Sequence, residues 1–235
     1  IWLILACMLV WAGARAQGGV ISGYLGKKNF IEGGIYVAPV TKVSEDGSLL
    51  HRVGGQLQVG RAVARHASAR LGLSVGSASK DVLLAPGDWY PEWAMAQVGL
   101  AGASLGLEFH GDQLAPIGKY LSGELAMIKP SLTLDHFLTE LEDGEETPYR
   151  EEFDQAFANQ PGANMVFRVR VGQRTILSKY YCWNFGLAAS YVLNPGKTER
   201  SHPRLPNFNT PQYDLNAMMR QYFAVQAYVM IGLVW

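Results

Sequence analysis

In His66-Ala67-Ser68 an imidazole and a hydroxyl stand two residues apart, a spacing that in a β-strand puts both on one face, as a base and the nucleophile it activates would require. The tripeptide falls between two strand-like segments, however, where a polar turn accounts for it equally well. The other histidines, His51, His110, His136 and His202, are scattered, and neither an H-E-x-x-H nor a paired-cysteine spacing occurs, so no metal site is expected. No P-loop and no G-x-G-x-x-G following a strand is present, and no cofactor is expected. What remains is a set of charges isolated between apolar neighbours: Glu32, Arg70, Glu108, Glu124, Arg168 and Arg170. Such a set either holds or passes an ion, or neutralises itself inside a folded wall. The second is expected, because a buried charge without a partner is costly.

The elements that carry these charges share a period of two. In MVFRVRV, Met165, Phe167, Val169 and Val171 oppose Arg168 and Arg170; in YLSGELAM, Leu121, Leu125 and Met127 oppose Tyr120, Ser122 and Glu124. In YCWNFGLAASYVL the set Tyr181, Trp183, Phe185, Leu187, Ala189, Tyr191 faces away from Cys182, Asn184, Gly186, Ala188, Ser190. The same alternation places Leu107 and Phe109 opposite Glu108, Leu71 and Leu73 opposite Arg70, and Ile31 and Ile35 opposite Glu32. The pattern predicts eight strands, at about 29–40, 50–63, 69–80, 94–110, 117–130, 163–173, 177–193 and 222–235. Their connections alternate in length. Those at 41–49, 81–93, 131–162 and 194–221 are long, and those at Arg65-His66-Ala67, Gly111-Asp112-Gln113 and Gly172-Gln173-Arg174 are tight turns.

Composition narrows the setting. Twenty Lys and Arg balance twenty Asp and Glu among 235 residues, so no global field favours nucleic acid. After residue 17 no apolar run is long enough for a transmembrane helix. The first residues, IWLILACMLVWAGARAQ, combine an apolar core with Ala14-Arg15-Ala16, the spacing of a secretory cleavage site, so 1–16 is expected to be a signal peptide and 17–235 a single barrel domain. Cys182 is then the sole cysteine, and no intramolecular disulfide is expected.

An even set of dyad strands with short turns on one rim and long loops on the other describes a transmembrane barrel, all-β, single, antiparallel and up-and-down. A soluble secreted ligand-binding barrel alternates too, but would have to show water the small set around Gly186, Ala188 and Ser190, where soluble sheets usually carry Lys, Glu and Thr. In YFAVQAYVMIGLVW, Phe223, Val229, Ile231, Leu233 and Trp235 fall on one face. A last strand of this kind resembles the assembly signal of bacterial outer-membrane barrels, and the chain as a whole resembles the small OmpA-like and OmpX-like outer-membrane class of Gram-negative bacteria. That resemblance implies export to the outer membrane, contact with its lipids and lipopolysaccharide, and delivery by the barrel-insertion machinery. Tyr181, Trp183 and Tyr191 are expected to form aromatic girdles at the two interfaces.

Eight strands leave an interior that side chains can fill, so the six charges predict a plugged barrel and not a general porin. Function then moves to the loops. Loop 131–162 is acidic, with Leu134, Phe137, Leu138 and Leu141 at helical spacing, and reads as a solvated loop with a short helix over the rim; its carboxylates could also gather divalent cations. Loop 194–221, with four prolines, reads as an extended surface excursion, and both loops are candidate sites for a surface partner. His66 and Ser68 resemble the His-x-Ser of lipid A deacylases, but Ala69 stands where that family has Asn and no Glu follows nearby. The expectation is a non-enzymatic barrel with a structural or surface-interaction role. A lipid A-modifying enzyme and a narrow channel are the competing readings.

Overall fold

The structure is a computed structural model describing residues 23–38, 52–87, 90–111, 113–138, 141, 144, 146–157, 163–193, 199–214, 216–217 and 225–235. The expected signal peptide at 1–16 and Phe223 lie outside the described residues. The eight strands are β1 (Asn29–Val37), β2 (Arg52–Ala64), β3 (Ala67–Leu84), β4 (Glu92–His110), β5 (Gly118–Phe137), β6 (Asn164–Ile176), β7 (Tyr181–Val192) and β8 (Val225–Val234), and helix α1 (Glu146–Phe157) lies between β5 and β6. Each strand pairs antiparallel with its sequence neighbour, and β8 closes on β1, giving a single up-and-down barrel.

The alternation is what fixes the register. A slip by one residue would turn the whole apolar set inward, so Glu32 opposes Gly232 on β8 and Gln58 on β2, and Glu124 opposes Arg168 on β6. The outward set is exposed all the way round: Ile35, Leu57, Leu73, Leu105, Leu121, Val171, Leu187 and Ile231 supply one large apolar side chain from each strand. Inside, side chains fill the lumen in layers. Next to the short turns lie Phe30, Ile117, Cys182 and Val234. Toward the long loops a second apolar cluster runs from Tyr36, Ala126, Ile128, Tyr228 and Met230 up to Val82 and Leu84. The charged side chains lie on the strand positions between these two layers. Glycine makes room for the larger inward groups. A Cβ on Gly186 would sit 2.2 Å from the Val171 carbonyl oxygen and 2.4 Å from the Tyr228 hydroxyl.

Several boundaries differ from the sequence reading, each for a physical reason. β6 does not turn at 172–174 but continues to Ile176, because Gly172, Gln173 and Arg174 stay paired with Gly186, Phe185 and Asn184. β3 and β5 outrun their expected ends at 80 and 130, reaching Leu84 and Phe137 because both remain paired with β4. The segments 81–84 and 131–137, read as loop, are therefore strand. The helix lies at Glu146–Phe157 and not around Leu134–Leu141, since Leu134 and Phe137 belong to β5. The connection between β4 and β5 spans 111–117 and is longer than the expected turn at 111–113.

The three long strands project beyond the rest of the wall as a sheet of β3, β4 and β5. Pairing of β3 with β2 stops at Ala78, and pairing of β5 with β6 stops at Ile128, so among the described residues the projection has two edges. On β5 the edge begins with Lys129 and Pro130, a charge and a missing N–H that discourage strand addition. On β3, residues 81–86 are buried on both faces. Helix α1 covers one side with Tyr149 and Phe153, which join the apolar cluster together with Leu132, Leu134 and Phe137.

Candidate functional site

Two places concentrate polar side chains: the barrel interior and the projecting sheet. In the interior Glu32, Arg70, Glu108, Glu124, Arg168 and Arg170 are all buried, and the structure brings them together. Glu124 is the hub. It accepts from Arg70 Nη2 at 2.6 Å and Arg168 Nη1 at 2.9 Å and forms an ion pair with Arg170 Nη2 at 3.1 Å. Arg70 also reaches Glu108 at 3.1 Å and the Ser122 hydroxyl at 3.0 Å, so its planar fork ties three strands.

A seventh charge completes the network. Arg174, fully buried, forms a bidentate pair with Glu32 through Nε and Nη2, donates to Glu108 at 3.0 and 3.2 Å and to the Pro116 carbonyl at 2.6 Å. Its guanidinium lies 3.8 Å from the centroid of the Phe30 ring. The sequence reading missed it by ending β6 too early. Counting in twos from Arg168 and Arg170 was the signal that could have found it. Uncharged groups take up remaining valences. Asn184 donates to Glu32 at 2.8 Å and accepts from the Tyr120 hydroxyl at 2.9 Å, and Gln56 accepts from Arg170 at 2.9 Å. Four arginines now face three glutamates between the two apolar clusters.

The pair His66 and Ser68 is not assembled. His66 is exposed in the β2–β3 turn, with Nδ1 3.2 Å from the Gln113 carbonyl oxygen, whereas Ser68 points inside and is fully buried. Ser68 meets a different histidine, His110, at 3.4 Å from Nε2, and Glu108 approaches the same nitrogen at 3.6 Å. A relay from carboxylate through imidazole to hydroxyl needs the two partners on opposite ring nitrogens. Here both crowd Nε2, and Nδ1 has no partner among the described residues. Among the described residues no group of three or more His, Cys, Asp or Glu is placed to hold a metal ion.

On the outer wall Tyr181, Trp183 and Trp235 are exposed near the short-turn rim, and Tyr191 is exposed toward the long-loop rim. Val229, Ile231 and Leu233 share that outer wall.

The projecting sheet is an ordered platform. Glu152 of α1 accepts the Ala85 N–H at 2.5 Å and meets His202 Nε2 at 3.3 Å. The Nδ1 of His202 accepts the backbone N–H groups of Arg204 and Leu205 at 3.2 and 3.3 Å, so the proton sits on Nε2 and is donated to Glu152. Arg204 then donates to the Ala85 and Gly87 carbonyls. Both expected loops are thus built onto the tip of β3. The described part of 131–162 is strand and packed helix more than solvated loop, and in 194–221 residues 199–214 dock on the sheet. No protein-family model and no curated protein sequence matches this chain.

Proposed function

We propose that this protein is a bacterial outer-membrane β-barrel with a sealed interior, acting through the platform on its long-loop rim in a structural or surface-interaction role. The observation that carries the reading is the belt of large apolar side chains facing outward from every strand of a closed barrel whose inside is charged. A water-soluble barrel has the opposite polarity, and an apolar surface of this extent in water is an aggregation hazard. A bilayer supplies the apolar surroundings that this belt needs.

The interior supports a scaffold over a channel, because the charges neutralise one another and apolar layers lie on both sides of them. Catalysis is disfavoured by the burial of Ser68 and by its separation from His66. Among the described residues of the long-loop rim, the surface open to a partner is the sheet of β3–β5 with α1 and residues 199–214, the place where a partner would dock. Single cysteines at Phe185 and Leu187 on one face, and at Gly87 on the platform, test the reading in vesicles. The first two should resist a water-soluble thiol reagent while the third reacts; equal reaction at all three would refute the membrane assignment.

A further inference from the structure

The short-turn end of the wall carries a charge bias that the closed interior does not use. Lys27, Lys28, Arg61, Arg65, Lys119 and Lys179 ring this rim, and among its described residues no exposed acidic side chain answers them. Five of the six sit on turns or strand ends. Arg61 is different, because it projects from β2 on the outer wall itself and has no ion-pair partner among the described residues.

Arg61 stands at the foot of a lateral groove on the outside of β1–β4. The backbone register shows its layout. Arg61 lies opposite Asn29 on β1 and Ala69 on β3, while one step toward the barrel centre Val59 lies opposite Leu71, and Leu71 opposite Leu105. Ala69 is the small residue that opens the dip, and Trp235, bonded through its backbone to Asn29, forms the side wall. From rim to centre the groove therefore changes from cationic and polar to wholly apolar. That order matches a molecule with an anionic head at the membrane interface and a hydrocarbon chain running inward.

We propose that this groove binds one anionic glycerophospholipid of the leaflet beside the short-turn rim, its phosphate on Arg61 and Asn29 and an acyl chain along Val59, Leu71 and Leu105. The proposal rests on the membrane reading above. A guanidinium pairs bidentately with phosphate oxygens, and the surrounding lysines raise the local concentration of anionic lipid without fixing its position. An apolar chain alone would not distinguish this groove from the rest of the belt; the cation at its foot supplies the selectivity.

The test uses the folded protein in vesicles of equimolar phosphatidylcholine and phosphatidylglycerol, extracted into mild detergent, with retained lipid counted by native mass spectrometry. Wild type should keep one phosphatidylglycerol in preference to phosphatidylcholine. Arg61→Gln should weaken that retention about tenfold, as loss of one charge-assisted contact implies. Ala69→Phe, which fills the dip without touching the interior, should weaken it as well. Lys179→Gln, on the same rim but away from the groove, should leave it unchanged. Equal retention of the two lipids, an equal loss in Lys179→Gln, or retention of added lipid A in place of phosphatidylglycerol would overturn the site. A protein that fails to insert into phosphatidylcholine vesicles would refute the membrane reading itself, whereas insertion without lipid preference would remove only the groove proposal.

Discussion

Glu124→Gln should be among the most damaging single substitutions in the barrel, and a second mutation that deletes a positive charge should partly repair it. Three guanidiniums converge on this carboxylate at 2.6, 2.9 and 3.1 Å. Of these only Arg70 has another carboxylate, Glu108. Neutralising Glu124 therefore leaves Arg168 and Arg170 buried with only neutral acceptors among the described residues, Ser190, Gln56 and the new amide oxygen, and no carboxylate. Stranding a buried charge costs about 3–5 kcal/mol. Arg168→Met works in the other direction, since Glu124 keeps two arginines and the four-to-three excess of bases is removed. Its cost should be about 1 kcal/mol, that of one lost hydrogen-bonded contact. The double variant should then be more stable than Glu124→Gln alone, with a coupling of about 1–3 kcal/mol. Urea unfolding of the folded protein in vesicles, followed by the gel mobility of unboiled samples, gives all four free energies. A Glu124→Gln cost below that of Arg168→Met, or strict additivity in the double variant, would refute the idea that charge balance organises the interior.

Other expectations follow from the same geometry. Arg174→Met should destabilise by about 3–5 kcal/mol, because Glu32 loses its only cationic partner among the described residues, and Glu32→Gln in the same chain should recover part of it, measured in the same unfolding assay. Gly186→Ala should cost about 1–3 kcal/mol from overpacking against the Val171 carbonyl and the Tyr228 hydroxyl, whereas Gly111→Ala, with open space around its Cβ, should be neutral. Phe153→Ala should release α1 from the sheet, so that limited proteolysis between β5 and β6 accelerates while the barrel's gel mobility is unchanged. Purified wild-type protein in planar bilayers should give no stable porin-sized conductance steps.

The fold was legible wherever alternation ran uninterrupted, and it failed where a local irregularity changed the period. On β5 the register jumps: Met95 pairs with His136 but Ala96 pairs with Leu134, leaving Asp135 as the extra residue. That insertion moves the next inward apolar residue from the expected 136 to Phe137. Leu134 and Phe137 at the end of the strand, with Leu138 and Leu141 just beyond it, then imitate a helix spacing. Meanwhile Tyr149 and Phe153, four apart on the real helix, lie among acids that make the segment look solvated. Arg174 was lost differently. Gly172-Gln173 carries the composition of a turn, but in this barrel Gly172 is small because Tyr120 and Tyr228 occupy the space beside it. His66 and Ser68 show the limit of spacing alone, since the strand that would align them begins only at Ala67.

The unequal height of the wall has a consequence for what can approach the protein. Residues 129–137 of β5 continue past the last pairing with β6, which at ~3.4 Å per residue is roughly 30 Å of strand. With the tilt usual for such barrels the tip of β5 stands about 20–25 Å above the start of β6. In the proposed orientation this makes a one-sided mast, stiffened by α1, that carries its face away from the bilayer surface. Large, slowly diffusing partners meet the mast before they meet the bilayer. Stature would then sort visitors by size before any side chain reads their chemistry.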